Sequence, residues 1–167
     1  MKIFIFLLIA TILSGTTIIS KSTAGENQDL NRVAVLPLVS VGVSASTCQK
    51  IRNGMIQVLQ REYDIQIVNK QTVDSIVVKL CGPLSAWWKC LTTDDKLLLI
   101  GNQLKVRALV AGNIAAMGKN QVLKIKIADI LKNIVYAEVV HMGRIKDGAF
   151  LSLFLPLQEY LGLPRHC

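Results

Sequence analysis

The chain has 167 residues, 51% of them hydrophobic, and a formal net charge of +8. This length predicts a single domain that can bury a real core, and the sequence contains no internal repeat or low-complexity segment. A basic surface favours anionic partners such as headgroups or cell-wall polymers. However, Lys and Arg are scattered along the chain without a run or interleaved aromatic residues, which argues against nucleic-acid binding.

The first 24 residues have the pattern of a signal peptide. Lys2 supplies the positive charge, residues 3–13 are apolar over a suitable length, and small residues allow cleavage after Ala24. The alternative is an uncleaved membrane anchor over residues 3–20, which four small or polar residues at 14–17 weaken. We therefore expect a periplasmic or secreted protein with no membrane span after cleavage. No Cys lies near the cleavage region, which argues against a lipid anchor.

The domain boundaries follow from this interpretation. The sequence predicts a signal peptide, a flexible mature N-terminus, one α/β domain and a short C-terminal tail; these are residues 1–24, 25–31, 32–163 and 164–167.

The domain begins with a strand and a helix. The apolar run at residues 32–38 ends near Pro37 and predicts a central strand, followed by a loop over residues 39–45. Ser44 or Ser46 can cap the next helix, which carries apolar residues at helical spacing to about residue 63.

A second strand and a second helix follow. Residues 64–68 have strand character, and Asn69 can cap a helix with an apolar stripe over residues 73–80. The order strand, helix, strand predicts a right-handed parallel crossover. Residues 81–90 are predicted to be the loop before the next helix.

The stretch from that helix to residue 141 organises the rest of the chain. The helix is predicted over residues 94–105, where Thr92 and Asp95 have capping-box spacing. Three strands with turn residues between them follow; they are predicted at residues 108–117, 121–130 and 134–141. In the middle strand, Lys124 and Lys126 alternate with apolar residues, which predicts one wet face.

A C-terminal helix over residues 149–161 completes the predicted order β-α-β-α-α-β-β-β-α. The fold class is therefore α/β, with a mixed sheet of about five strands and helices packed on it.

The four cysteines lie in the exported part, where an oxidising compartment favours disulfides. Cys81 and Cys90 flank one loop, so we expect them to form a disulfide. Cys48 and Cys167 remain as a second pair, although Cys48 lies on an apolar helix face and a buried free thiol is the alternative. No Cys-x-x-Cys motif is present and the histidines number only two, so no metal site is predicted.

The motif search finds no catalytic constellation. The sequence lacks a nucleophile elbow and a phosphate-binding glycine loop. Its acids are spread: Asp129 is placed in a turn and Glu138 on a strand. A hydrolase around His141 is the weakest of three hypotheses, so we expect no enzyme activity and no cofactor.

Trp87 and Trp88 are the chemically suggestive pair. Adjacent tryptophans on a disulfide-closed loop could stack on a sugar or anchor a protein partner. The alternative is that one of them covers the disulfide and the neighbouring helix ends. Together with Lys124 and Lys126 they are the candidate contact residues.

Several segments resemble the TolB amino-terminal-domain-like group. Residues 33–38 (VAVLPL), 65–68 (IQIV) and 104–114 (LKVRALVAGNI) match its first strand, second strand and helix-to-strand passage. Lys105 stands where the group usually has Gly, and Asn133 replaces the Gly of its closing turn. The chain is also similar to the CsgG and LpoB type of domain, in secreted bacterial versions with a cysteine-flanked loop.

The resemblance implies an α/β fold with a mixed sheet and non-enzymatic uses: binding periplasmic partners, activating a synthase or assembling an envelope complex. The first hypothesis is therefore an exported envelope protein that binds an envelope protein partner. The second is a peptidoglycan or glycan binder that uses Trp87 and Trp88.

Overall fold

A computed structural model describes residues 29–63, 65–83, 86–143, 145, 154 and 159. Within them, six strands form one mixed sheet. The strands are β1 (Asp29–Val35), β2 (Val39–Val41), β3 (Gln66–Ile67), β4 (Val106–Met117), β5 (Asn120–Asp129) and β6 (Ile134–Gly143). The helices are α1 (Ala45–Tyr63), α2 (Lys70–Cys81), α3 (Trp87–Thr92) and α4 (Asp94–Leu104).

The strand order is β3-β1-β4-β5-β6, and β2 pairs with β4 beyond the end of β1. β1 runs parallel to both β3 and β4, while β4, β5 and β6 form an antiparallel meander. The predicted α/β class and mixed sheet are confirmed, and so is the parallel pairing of the first two predicted strands.

The sheet is covered on both sides, which explains the continuous apolar run in β1. Residues Val33 and Val35 face α1, whereas Ala34 and Leu36 face α2, α3 and α4. A strand that is buried on both faces needs apolar residues at every position rather than at alternate ones. The α1 side also receives Phe154, whose backbone oxygen accepts a hydrogen bond from Tyr63 Oη at 3.1 Å.

Three predicted local signals are present. The backbone N–H of Thr47 donates to Ser44 Oγ at 3.2 Å, so Ser44 caps α1. Asn69 caps α2 by accepting from the N–H of Gln71 at 2.8 Å. Asn133 has a φ of 55°, the left-handed conformation expected of it in the turn before β6.

The predicted loop over residues 39–45 is wrong in part, because β2 lies within it. Val39 to Val41 pair in parallel with Asn113 to Ala115 of β4. Three residues are too few to show a period of two, and their pairing depends on a strand far along the chain. The sheet consequently has six described strands instead of about five.

The predicted loop over residues 81–90 also contains structure, since α3 begins at Trp87. The capping box is wrong for the same reason: Thr92 is the last residue of α3, and its Oγ1 donates to Trp88 O at 2.7 Å. Thr93 is the N-cap of α4 but makes no side-chain cap. Its hydroxyl donates to Lys89 O instead. Both hydroxyls therefore end α3 rather than begin α4.

At the termini, β1 begins at Asp29, before the predicted domain start at residue 32. Phe154 and Glu159 are helical, as the predicted C-terminal helix requires, and the rest of that segment lies outside the described residues. The predicted signal peptide, His166 and Cys167 also lie outside them. Of the helices in the described ranges, none combines the length and apolar character needed to cross a bilayer.

Candidate functional site

A disulfide joins the end of α2 to α3. Cys81 and Cys90, the predicted pair, are bonded with their Cα atoms 5.6 Å apart. The bond holds α3, which has only six residues, against the end of α2. Cys48 is a buried free thiol, and its suggested partner Cys167 lies outside the described residues.

The two tryptophans of α3 have different surroundings. Trp87 is half-buried, packs against the core on the α2–α4 side, and donates its indole N–H to Gly82 O at 3.0 Å. Trp88 leaves 47% of its surface exposed. Neighbouring residues of an α-helix point about 100° apart. The two rings therefore do not form one continuous stacking surface.

The two candidate lysines lie at the junction of α3 and α4 with the sheet. Lys126 Nζ pairs with Asp94 Oδ1 at 2.9 Å and donates to Thr92 O at 3.2 Å, so this lysine is held by the helices above it. Lys124 is half-buried and lies one pleat further along β5, opposite Asn113 and Val140. The strand face that was predicted to be solvent-exposed is therefore covered by the helices at Lys126 and becomes exposed beyond Lys124.

Past Lys124 the sheet carries apolar side chains that no described helix covers. The strand registers place Val41, Ala115, Val122 and Met142 in one row across β2, β4, β5 and β6. Met142 is 67% exposed. Two further exposed apolar residues lie on the same side, one pleat away. We call the six the open sheet face: Val41, Ala115, Met117, Val122, Val140 and Met142.

Sequence reasoning did not find the open sheet face, although a signal was present. The alternation that makes Lys124 and Lys126 polar stops at Val122, which continues the same side of β5 with an apolar residue. Val140 and Met142 do the same on β6. Which strands these residues would join was not visible in the sequence.

A pocket of about 330 Å³ lies at the carboxyl end of β1. Its residues come from the loop after β1, from β2, and from the first turns of α1, α2 and α3; they are Pro37, Leu38, Val39, Ser40, Ala45, Cys48, Gln49, Arg52, Asp74 and Trp87. In open α/β sheets, ligands bind beyond the carboxyl ends of strands, where successive connections leave on opposite faces. β1 and its neighbour β3 meet this condition, because the helix after β1 (α1) and the helix after β3 (α2) pack on opposite faces of the sheet.

Arg52 is the charged residue at the base of this pocket and is only 2% exposed. Its Nε and Nη2 donate to Val35 O at 3.1 and 2.8 Å, and its Nη1 pairs with Asp74 Oδ1 at 2.8 Å. Burial lowers the pKa of Arg52, and the Asp74 carboxylate opposes that shift. The guanidinium nevertheless remains protonated at any physiological pH. Sequence reasoning missed Arg52, which lies among the apolar positions of α1.

Asp129 and His141 have different surroundings. Asp129 is buried in the turn after β5, where it accepts the N–H of Lys132 at 3.0 Å and pairs with Lys132 Nζ at 3.3 Å. Nε2 of His141 is buried and has no hydrogen-bond partner among the residues that the structure describes. The described ranges contain no group of three His, Cys, Asp or Glu side chains that could hold a metal ion.

Comparison of this fold with solved structures finds similar domains, among them three that are each 10% identical in sequence. The LpoB C-terminal domain from Salmonella enterica superposes with a TM-score of 0.53 over 74% of this chain and 89% of that one. The chain has an LpoB-type fold. The LpoB C-terminal domain from Escherichia coli gives a TM-score of 0.50 over 71% and 86% of the two chains. Lipoprotein GNA1162 from Neisseria meningitidis gives 0.53 over 79% and 96%.

No protein-family model and no curated protein matches the sequence. The resemblance to the LpoB type of domain is confirmed at the level of the fold, and at this identity it transfers no site residues. Lys105, which stands where the TolB-like group usually has Gly, ends α4 with a φ of 52°, the left-handed conformation that Gly adopts most easily.

Proposed function

We propose that the chain is a non-catalytic, exported protein of the cell envelope that binds a partner protein through the open sheet face. The signal-peptide pattern supports export. The LpoB-type fold supports an interaction module, and one of the similar structures is by name a lipoprotein. The observation that carries the proposal is the row of apolar side chains from Val41 to Met142 across four strands.

An apolar row of this kind is unusual on a monomer. Scattered exposed apolar side chains are normal, but contiguous patches mark interaction surfaces. Met117 and Met142 contribute long unbranched side chains that adapt to a partner's shape. The patch lies on four paired strands that hold its backbone rigid, so little backbone entropy is lost on binding.

The charge around the open sheet face defines the partner more closely. Lys119 is exposed in the turn after Met117, and Lys124 borders Val140 within the sheet. The chain as a whole is positively charged. The partner that fits is a protein surface with an apolar centre and an acidic rim, since opposite potentials steer association and select partners.

The test is capture of a partner from a solubilised envelope extract by the mature chain and by a variant with Met117→Glu and Met142→Glu. Removing two central apolar contacts and reversing the local charge should reduce recovery of the partner by about tenfold or more. Leu99→Glu is the matched control, because Leu99 is exposed on α4, away from the open sheet face. Circular dichroism melting checks that all three proteins are folded.

Equal recovery with the double variant would contradict the proposal, and so would failure of the unchanged chain to retain any protein. Raising the salt concentration should weaken capture, because salt screens the attraction between Lys119 and Lys124 and an acidic partner surface.

Glycan binding, the other interpretation of the tryptophan pair, depends mainly on Trp88, because its ring is the more exposed of the two. It predicts that cell-wall fragments change tryptophan fluorescence and that Trp88→Ala abolishes the change. A fluorescence response that survives Trp88→Ala, or none at all, removes this alternative.

A further inference from the structure

The pocket at the carboxyl end of β1 contains an ion pair between the buried Arg52 and the half-exposed Asp74, and Arg52 has a partly structural role. β3 ends at Ile67, and its neighbour Val68 donates an N–H to Val33 O at 3.0 Å. Alternate carbonyls of a strand point to the same edge. Val35 O therefore lies on the β3 edge just beyond the end of β3, and Arg52 supplies the two N–H groups that it accepts.

The hydrogen bonds that Arg52 makes to Val35 O and Asp74 do not occupy all the N–H donors of its guanidinium. An arginine side chain has five N–H donors, and the three hydrogen bonds to Val35 and Asp74 leave two of them without a partner among the described residues. Asp74 leaves 44% of its side chain exposed, so its carboxylate can accept further hydrogen bonds. The pocket thus offers donors and an acceptor side by side.

The start of α1 adds a third polar element. Ala45 and Gln49 line the pocket from the first turns of this 19-residue helix, and that first turn contains no acidic residue. The N-terminus of a helix carries partial positive charge, which favours a carboxylate. In α1 the N–H groups of Thr47 and Cys48 already donate to Ser44, which leaves those of Ala45 and Ser46 for a ligand. Trp87 and Leu38 add apolar side chains to the lining of the pocket.

We propose that this pocket binds a free α-amino acid as its zwitterion. The ligand carboxylate accepts from Arg52 and from the start of α1, the ligand ammonium donates to Asp74, and an apolar ligand side chain packs against Trp87 and Leu38. The volume of about 330 Å³ is at the small end of ligand pockets and suits a single amino acid.

The opposite charges of Arg52 and Asp74 favour a zwitterion over a ligand with a single charge. A carboxylate without an ammonium group would bring its charge close to Asp74, and an amine without a carboxylate would bring its charge close to Arg52. Arg52 is buried, so a like charge close to it is costly, whereas the half-exposed Asp74 is partly screened by water and contributes less to the selection. A ligand with one charge of each sign matches the pair.

The chain contains its own reporters for the pocket. It has two tryptophans and four cysteines, of which Cys81 and Cys90 are bonded to each other. In the mature chain with Trp88→Phe and Cys167→Ser, Trp87 is the only tryptophan and Cys48 the only free thiol. Both line the pocket. Fluorescence and the rate of Cys48 alkylation, followed by intact mass, therefore report occupancy independently.

Leucine is the first probe, and N-acetyl-leucine and leucinamide are the matched compounds that lack the ammonium or the carboxylate charge. Leucine should change Trp87 fluorescence and slow Cys48 alkylation severalfold, with both analogues binding about tenfold or more weakly. Asp74→Asn should weaken leucine binding by a similar factor. Asp95→Asn, an exposed acid on α4, should leave it unchanged.

Arg52 is left intact in this design, because its removal would strip Val35 O of its donors and unfold this edge of the sheet. The proposal is overturned if leucine and a panel of other apolar amino acids affect neither reporter. It is equally overturned if N-acetyl-leucine or leucinamide binds as tightly as leucine, or if Asp74→Asn retains full binding. These outcomes are independent of partner capture at the open sheet face.

Discussion

Lys105 and Asn133 both take the left-handed backbone conformation, with φ values of 52° and 55°. For most residues with a Cβ atom this conformation costs roughly 1–2 kcal/mol, whereas Asn tolerates it through local hydrogen bonding. Lys105 ends α4, and its N–H donates to Asn102 O at 3.1 Å. The left-handed conformation of Lys105 turns the chain from α4 into β4. Its free-energy cost is tolerated because this connection requires the turn.

Lys105→Gly should therefore stabilise the protein. The gain from relieving the left-handed conformation exceeds the extra entropy of glycine in the unfolded chain, and we expect about 0.5–1 kcal/mol in the free energy of unfolding. Asn133→Gly is the matched comparison and should change that free energy less. Urea denaturation measures both. A destabilised Lys105→Gly variant would show that the side chain makes a contribution that the backbone argument omits.

At the scale of elements, α4 packs on β5 and its turn through the only glycine in that helix. Ideal Cβ placement at Gly101 brings the new atom against the Cδ1 and Cγ1 atoms of Ile130, a buried residue in the turn after β5. The close approach lets the helix axis lie near the sheet. A side chain at this position must displace Ile130 or lift the helix.

Gly101→Ala should therefore destabilise the protein by about 1–3 kcal/mol, because overpacking outweighs alanine's better helix propensity. Gln103→Ala, at an exposed position of the same helix, should stay within about 0.5 kcal/mol of the original chain. Combining Gly101→Ala with Ile130→Val removes the Cδ1 methyl group and should recover part of the loss. A double-mutant cycle with no favourable coupling would contradict this account.

The elements that sequence reasoning found and those that it missed differ in how they are stabilised. The long helix α1 and strands β4 and β5 carry their own periodicity, so the pattern of apolar residues predicted them. β2 exists because β4 extends beyond β1, and α3 exists because a disulfide and the Trp87 hydrogen bond hold it. The three residues of β2 and the six residues of α3 are too few to show a periodic pattern of apolar side chains.

The candidate site shows the same division. The disulfide followed from the spacing of Cys81 and Cys90, and the covered position of Lys126 was an open question of helix placement. Arg52 was invisible for a physical reason, since its function is to complete a strand edge that only the short length of β3 leaves open. The open sheet face needed the registers of four strands before its residues formed one row.

For the whole molecule, the disulfide is the covalent link that limits the unfolded chain. Replacing both Cys81 and Cys90 by Ala should lower the free energy of unfolding by about 2–3 kcal/mol in the chain-entropy model for so short a loop. Urea denaturation with and without reductant is the measurement. Reductant should destabilise the unchanged chain and leave the double variant unaffected, whereas equal sensitivity of the two would contradict the prediction.

The position of β1 in the middle of the sheet has a consequence for biogenesis. Among the described elements β1 leaves the ribosome first, yet its partner β4 is made only after β2, β3 and all four described helices. At roughly 5–20 residues per second, the apolar segment around Val35 stays unpaired for several seconds. An unpaired strand that is apolar on both faces is prone to aggregate. The nascent chain therefore depends on being kept unfolded and shielded until Val110 has emerged.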